Sequence, residues 1–263
     1  MKTGFLQFAP KLNDSGFNIQ KIESFAEQFK DADLLVLPEL CNSGYNFKSK
    51  KQAFDTSEEI ENSEFINFLE SICIENSLFI VSGFNERDGG DLYNSSVLIG
   101  PDGFIGNYRK LHLFMNEKKY FKLGNAGLPV FDIGICKVGM LVCFDWMFSE
   151  AWRILMLKGA DIICHPSNLV LPGLCQKAIP IHSLINRFYI VTANRIGTED
   201  DLTFTGLSTI SDPKGDVLYQ ASQDKEELKI VDIDISLARD KKITSMNDII
   251  EDRRVEEYSE LLK

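Results

Sequence analysis

Three residues that could together cleave an amide lie far apart in the sequence: Glu39, Lys110 and Cys143. A thiolate can attack a carbonyl carbon, a carboxylate can accept and return the proton, and an ammonium can stabilise the negative charge that grows on oxygen. Each residue alone has an ordinary explanation, as a core cysteine, a solvated acid or a surface lysine. Only the set of three predicts acyl-transfer chemistry.

The sequence around each residue places it near the end of an apolar strand or hairpin. Cys143 ends the apolar run 138–142 and precedes a helix, where backbone N–H groups and the helix dipole stabilise a thiolate. Glu39 ends the run 34–38, and an apolar setting raises the pKa of a carboxyl group toward the range of a general base. Lys110 follows a hairpin. Sites of α/β proteins are built at the carboxyl ends of strands, so these positions favour a common site.

The elements that must position these residues recur in two halves of the chain. The matching segments are 32–38 with 160–166, 78–82 with 188–192, and 96–103 with 208–215. Each half predicts strand, helix, buried strand, helix, buried strand and a hairpin with a Pro-x-Gly turn. Strands that are apolar on both faces need a layer on each side. We therefore predict an α/β fold, a four-layer α-β-β-α sandwich with two pseudo-twofold-related halves.

No linker or low-complexity segment interrupts the sequence, which favours a single domain over residues 1–263. Residues 239–263 are charged and contain too few apolar side chains to fold alone. We expect them to form a C-terminal tail that packs on a partner subunit. Apolar residues at spacings of three and four predict helices over 18–30, 57–77, 148–158 and 173–187.

Composition argues against several functions. With 28 Lys and Arg against 39 Asp and Glu, the net charge is −11, and such a surface repels nucleic acid and anionic lipid. No apolar run approaches the roughly 18 residues that span a bilayer, and the first residues do not read as a signal peptide. We expect a cytoplasmic protein whose six cysteines are thiols, without a metal site, because no CxxC pair or His/Cys cluster occurs.

Three motifs together resemble the nitrilase superfamily of carbon–nitrogen hydrolases, in its compact single-domain form. They are Leu37-Pro38-Glu39-Leu40, Tyr108-Arg109-Lys110-Leu111-His112-Leu113-Phe114 and Val142-Cys143-Phe144-Asp145. Glu39 and Lys110 are 71 positions apart, and Lys110 and Cys143 are 33 apart, as is typical of this superfamily. The chain departs from the family pattern at Ser149, where proline is usual, and in 121–124, which lacks a proline.

The resemblance implies a role for each residue of the site. Glu39 is expected to be the general base, Lys110 the oxyanion-stabilising cation and Cys143 the nucleophile. Glu117 resembles the second glutamate that holds the substrate and the lysine, and the Phe144 backbone N–H is expected to share the oxyanion with Lys110. The implied activity is hydrolysis of a non-peptide carbon–nitrogen bond of a small amide through a cysteine thioester, which releases ammonia or an amine. The resemblance implies no cofactor and at least a homodimer.

Other functions stay open at this point. The same catalyst could act on a small aliphatic nitrile or an N-carbamoyl amine, and a relative without turnover could bind a metabolite. A cysteine–histidine arrangement using His112, His165 or His182 is disfavoured, because their apolar or proline-flanked settings indicate packing histidines. Bulky, mostly neutral residues near the motifs favour a small aliphatic substrate over a highly charged one. The predicted substrate-binding residues are Tyr45, Phe114, Phe144, Trp146, Met147 and Asn168.

Overall fold

Two six-stranded mixed sheets form the centre of the fold. A computed structural model describes residues 1–262. The strands are β1 (Lys2–Gln7), β2 (Leu34–Val36), β3 (Phe79–Asp88), β4 (Asp91–Gly100), β5 (Gly103–Arg109), β6 (Val130–Asp132), β7 (Lys137–Met140), β8 (Ile162–Ser167), β9 (Tyr189–Asn194), β10 (Thr198–Glu199), β11 (Leu202–Thr203), β12 (Thr209–Ser211), β13 (Val217–Gln220) and β14 (Glu227–Asp232).

Helices of both types connect the strands. The α-helices are α1 (Ser15–Glu23), α2 (Lys50–Asp55), α3 (Glu64–Asn76), α4 (Glu117–Tyr120), α5 (Ser149–Leu157), α6 (Leu174–Asn186) and α7 (Ser236–Arg239). The 3₁₀ turns cover Ala26–Asp31, Ile60–Asn62, Cys143–Met147, Val255–Glu257 and Ser259–Leu262.

The two sheets have the same topology, which confirms the internal repeat. The first has the order β14-β1-β2-β3-β4-β5 and the second β6-β7-β8-β9-β12-β13, while β10 and β11 form a separate ribbon. In each sheet the second, third and fourth strands of that order run parallel, and the remaining pairs are antiparallel. Strands β2 and β3 therefore correspond to β8 and β9, as the repeated segments predicted.

Alternating side chains along the strands create the layers. Phe5 and Val36 belong to the apolar cluster that also holds side chains of β7, β8 and β9. Their neighbours Leu6 and Leu35 point to the opposite face and belong to the cluster that includes α1 and α3. Helix α6 contacts β9 and β12, and α5 packs beside α6. The predicted α-β-β-α sandwich is confirmed.

Two helix boundaries differ from their prediction. The helix expected over 18–30 is split, because α1 ends early and a separate 3₁₀ turn follows at Ala26–Asp31. The helix expected over 57–77 starts only after Ser63, whose Oγ accepts a 3.0 Å hydrogen bond from the Ile66 N–H and so caps α3. The other two predicted helices match α5 and α6 to within one residue at each end.

The segment that follows α7 runs beside α5 and α6 of its own chain. Lys241 Nζ donates to the carbonyls of Asn186 and Arg187, at 3.2 and 2.6 Å, where α6 ends. The predicted tail over 239–263 begins at the last residue of α7, and its final residue, Lys263, lies outside the described residues. Within residues 1–262, no helix has the length and apolar character needed to cross a membrane.

Candidate active site

Cys143 begins a 3₁₀ turn in a backbone conformation that cysteine rarely adopts. Its φ is +44°, in the left-handed region, and the turn covers Cys143–Met147. The side chain is buried. Burial raises the pKa of the Cys143 thiol well above its ordinary value, the charge of Glu39 adds to this, and the nearby Lys110 ammonium only partly opposes it. At neutral pH the thiol therefore keeps its proton, and its attack on a substrate requires a base.

A buried lysine lies between two buried glutamates. Lys110 Nζ is 2.6 Å from Glu39 Oε1 and 2.9 Å from Glu117 Oε1. Burial favours the neutral amine, but the charges of Glu117 and Glu39 outweigh this and raise the pKa of Lys110 above its ordinary value. Burial also raises the pKa of Glu117, with the Lys110 charge acting against it. The lysine is thus held as an ammonium.

Glu39 is fixed through one carboxylate oxygen and its backbone. Asn94 Nδ2 donates to Glu39 Oε1 at 2.7 Å, and Asn168 Nδ2 donates to the Glu39 carbonyl at 3.0 Å. Gly83 packs so closely that a Cβ there would lie 2.3 Å from the Glu39 Cα. The other oxygen, Oε2, is buried and has no hydrogen-bond partner within residues 1–262. An unpartnered carboxylate oxygen can accept a proton, as a general base must.

Glu117 is fixed at both of its oxygens. The Tyr45 hydroxyl donates to Oε1 at 2.7 Å, and the Phe114 N–H donates to Oε2 at 3.2 Å. The Tyr45 backbone is held in turn by Glu199, whose Oε2 accepts from its N–H at 3.1 Å. Glu199 is itself paired with the buried Arg195 guanidinium, at 2.6 Å. Tyr45 therefore contacts the charged cluster and does more than line a pocket.

Asp145 connects the lysine segment to the cysteine turn, a role that the sequence analysis missed. Its Oδ1 accepts from the His112 N–H at 3.2 Å and lies 2.7 Å from the His112 ring Nδ1. Its Oδ2 accepts from the Tyr108 hydroxyl at 2.8 Å and from the Val142 N–H at 2.9 Å. The position of Asp145 two residues after Cys143, in a motif already noted, was the available signal. Because the side chain is fully buried, its bonds fix the two segments relative to each other.

Two small cavities adjoin this cluster, and Phe114 and Val170 line both. The space that the centre of a water molecule can occupy is about 10 Å³ in the first cavity, beside Cys143, and about 20 Å³ in the second, beside Glu117. Both cavities are therefore narrow. The first is also lined by Cys143, Phe144, Trp146 and Asn168, and the second by Tyr45 and Glu117.

Five of the six predicted substrate-binding residues line these cavities, and Met147 does not. Its side chain is 52% exposed, whereas that of Trp146 is buried. Successive side chains of a 3₁₀ turn point about 120° apart, so Met147 can face solvent although Trp146, the residue before it, lines the first cavity. The position of Met147 gives no support to its predicted role.

His165, His182 and the cysteines other than Cys143 are buried outside the Glu39–Lys110–Glu117 cluster. His165 and His182 are buried and donate to backbone carbonyls of the cysteine turn. All six cysteines are free and buried. No group of three or more His, Cys, Asp or Glu side chains in the described part of the chain is arranged to hold a metal ion.

Comparison with known proteins places the chain in a family. The carbon–nitrogen hydrolase family model matches residues 2–243. A Pyrococcus abyssi protein named nitrilase is 45% identical, over 98% of this chain and 99% of its own length, and a Pseudomonas (R)-stereoselective amidase is 32% identical, over 97% and 92%. The structure of a carbon–nitrogen hydrolase from Helicobacter pylori G27 has a TM-score of 0.90 and 28% identity, and the match covers 100% of this chain and 98% of that one. The chain therefore belongs to the carbon–nitrogen hydrolase family.

Proposed function

We propose that the chain hydrolyses a small uncharged amide through a thioester on Cys143 and releases ammonia or an amine. The observation that carries the proposal is the buried Lys110 ammonium held between Glu39 and Glu117 beside the Cys143 thiol. These groups are a nucleophile, a base and a cation, the three that amide cleavage requires.

In the first step Glu39 accepts the thiol proton through its unpartnered Oε2, and the Cys143 sulfur bonds to the carbonyl carbon. Negative charge moves to the carbonyl oxygen, where Lys110 and the Phe144 N–H stabilise it. The protonated Glu39 then donates its proton to the leaving nitrogen. The carbon–nitrogen bond breaks, and an acyl group remains on sulfur.

The second step repeats the first with water as the nucleophile. Glu39 accepts a proton from water, the water oxygen bonds to the thioester carbon, and the sulfur leaves and recovers its proton. Glu117 keeps Lys110 charged while Glu39 is protonated, because one carboxylate then still faces the ammonium. This division of tasks accounts for two glutamates around one lysine.

The cavities favour a small substrate with a neutral acyl group. Phe114, Phe144, Trp146 and Val170 present apolar surface, and the space beside Cys143 is narrow. A nitrile is the second candidate, because the Pyrococcus abyssi relative is named a nitrilase. The same thiolate would then form a thioimidate, and hydrolysis would release ammonia and an acid. An N-carbamoyl amine is a further alternative.

A substrate panel tests these assignments. Purified protein is incubated with aliphatic amides, nitriles and N-carbamoyl amines, ammonia release is measured, and intact mass identifies the acyl group trapped on Cys143. We expect ammonia release with at least one small neutral amide, and none from Cys143→Ala or Glu39→Gln variants that remain folded. Full activity in either variant, or no adduct and no product with any compound, would overturn the proposal.

We further propose that residues 1–263 form one cytoplasmic domain that dimerises through the outer face of α5 and α6, with the tail at the interface. Ile154, Leu157 and Ile185 are exposed on these helices and line a groove, and Leu261 lies opposite them. A second copy would cover this apolar surface. The mass in solution, measured by light scattering, should be that of a dimer. It should fall to that of a monomer in Ile154→Asp but not in the control Ile74→Asp, which changes an exposed residue of α3.

A further inference from the structure

Three aromatic side chains, His165, Trp152 and His182, donate ring N–H hydrogen bonds to backbone carbonyls of the Cys143–Met147 turn. The Trp152 ring stacks on the His182 ring, with centroids 4.6 Å apart, and contacts the His165 ring edge-on at 5.6 Å. The three hydrogen bonds run from His165 Nε2 to the Cys143 carbonyl at 2.9 Å, from Trp152 Nε1 to the Asp145 carbonyl at 3.1 Å, and from His182 Nε2 to the Trp146 carbonyl at 2.9 Å.

The partners of His165 fix which ring nitrogen carries its proton. A carbonyl oxygen only accepts, so Nε2 must donate to Cys143. Burial lowers the pKa of His165 to about 4, so the ring is neutral near pH 7 and has a single N–H. Its Nδ1 is therefore an acceptor, and the Thr192 hydroxyl lies 3.1 Å from it. The neutral ring therefore donates its single N–H to the Cys143 carbonyl.

The bond from His165 acts on the same peptide unit that carries an oxyanion donor. The Cys143 carbonyl and the Phe144 N–H belong to one planar peptide, and the structure contains no cis peptide bond among its described residues. In a trans peptide the C=O and N–H point in opposite directions. Holding the carbonyl therefore sets the direction of the N–H. External support is needed here, because Cys143 has a φ of +44°, a strained backbone conformation for a residue other than glycine.

We propose that His165 is a positioning residue that orients the Phe144 N–H toward the substrate oxyanion by holding the Cys143 carbonyl. The inference rests on the proposed function, since an oxyanion forms only during attack on a carbonyl. It differs from a general packing role in one respect. Loss of the His165 donor must impair reactions that develop an oxyanion and spare reactions of the same thiol that do not.

The test compares two reactions of Cys143 in the His165→Met variant, which has a side chain of similar size without a donor. The first is kcat for the best amide of the substrate panel. The second is the rate of Cys143 alkylation by iodoacetamide, a displacement at an sp³ carbon that develops no oxyanion. We expect kcat to fall about 10–100-fold with KM little changed, while the alkylation rate stays within about twofold of wild type. His165→Gln, which restores an N–H near the same place, should recover much of kcat.

His182→Met is the matched control, because His182 makes the same kind of bond to the same turn but holds a different peptide. It should lower both rates together or neither, so that the ratio of hydrolysis to alkylation stays that of wild type. If His165→Met does not fold, His165→Asn replaces it, since its shorter amide cannot reach the Cys143 carbonyl. A wild-type ratio in the folded His165 variant would overturn this inference. Absence of amide turnover in the wild-type protein would instead overturn the proposed function.

Discussion

The Tyr45 hydroxyl donates a 2.7 Å hydrogen bond to Glu117 Oε1, the same oxygen that accepts a 2.9 Å bond from Lys110. Glu117 is therefore held from two sides and cannot turn away from the ammonium. Burial, and then the charge of Glu117, raise the pKa of Tyr45 well above its ordinary value. The hydroxyl thus keeps its proton at neutral pH and remains a hydrogen-bond donor to Glu117.

Tyr45→Phe should lower kcat/KM about 10-fold, because it leaves Glu117 with one fewer donor and so loosens the lysine, at a cost of about 1–2 kcal/mol. Steady-state kinetics of amide hydrolysis provide the measurement. Tyr189→Phe is the control, since it also removes a hydroxyl bond, to the Asp234 carbonyl at 3.0 Å, at a distant place. Equal activity losses in the two variants would contradict a specific role for Tyr45.

Gly83→Ala should displace Glu39 and abolish most hydrolysis. The new Cβ would lie 2.3 Å from the Glu39 Cα and 2.6 Å from the Pro38 carbonyl oxygen, and backbone atoms cannot give way as a flexible side chain could. We also expect Gly83→Ala to unfold at a lower denaturant concentration than the wild-type protein. Gly90→Ala serves as the comparison, because a Cβ at Gly90 meets no atom within 4 Å. A fully active Gly83→Ala enzyme would show that Glu39 does not need this backbone position.

Asp145→Asn should destabilise the fold by about 2–4 kcal/mol, because the new amide group cannot accept every bond that Asp145 accepts from Tyr108, His112 and Val142. Hydrolysis should fall with it, since the lysine segment and the cysteine turn lose their connection. Denaturant unfolding measures the first effect and ammonia release the second. Asp132→Asn is the control, because Asp132 is exposed, and its free energy of unfolding and rate of ammonia release should both stay near the wild-type values.

The buried histidines should make the protein sensitive to mild acid. Burial lowers the pKa of His165 from 6.5 to about 4. Above pH 6.5 the ring is neutral in both states, and its contribution to stability is complete. As the pH falls from 6.5 to 4, only the unfolded chain binds the proton, so the free energy of unfolding should decrease by up to about 3 kcal/mol. The free energy of unfolding, measured with denaturant at several pH values, should depend less steeply on pH over this range in His165→Gln than in the wild-type protein. An unchanged slope would exclude His165 as the cause.

The sequence predicted the fold and the main chemistry because both leave local signals. Glu39 follows a short apolar run whose length is typical of a buried strand, and the repeated segments predicted two equivalent sheets before any strand order was known. The motifs around Lys110 and Cys143 then identified the family, which the comparisons confirm. Such features depend on residues adjacent in the chain, and a pattern can therefore reveal them.

Other features depend on side-chain direction and on contacts between distant segments. Asn94 reaches Glu39 from a buried strand, and nothing within β4 alone indicates that bond. Met147 was assigned to the pocket as a bulky, neutral residue near the cysteine motif, but half of its side chain is exposed and it lines neither cavity. His165 was interpreted as a packing residue, which describes its burial and leaves out the Cys143 carbonyl that it holds.

The pairing of β14 with β1 has a consequence for how the chain is made. The strand closest to the C-terminus lies beside the one closest to the N-terminus, and the Met1 amino group donates to the Ile233 carbonyl at 3.1 Å. During synthesis on the ribosome, the sheet that contains β1 and β14 begins to emerge first but is completed last. Its final strand, β14, emerges after every strand of the other sheet. Until β14 emerges, the backbone N–H and C=O groups on one side of β1 lack a partner strand and can pair with another nascent chain. The risk of aggregation, which molecular chaperones reduce, should be greatest during that interval.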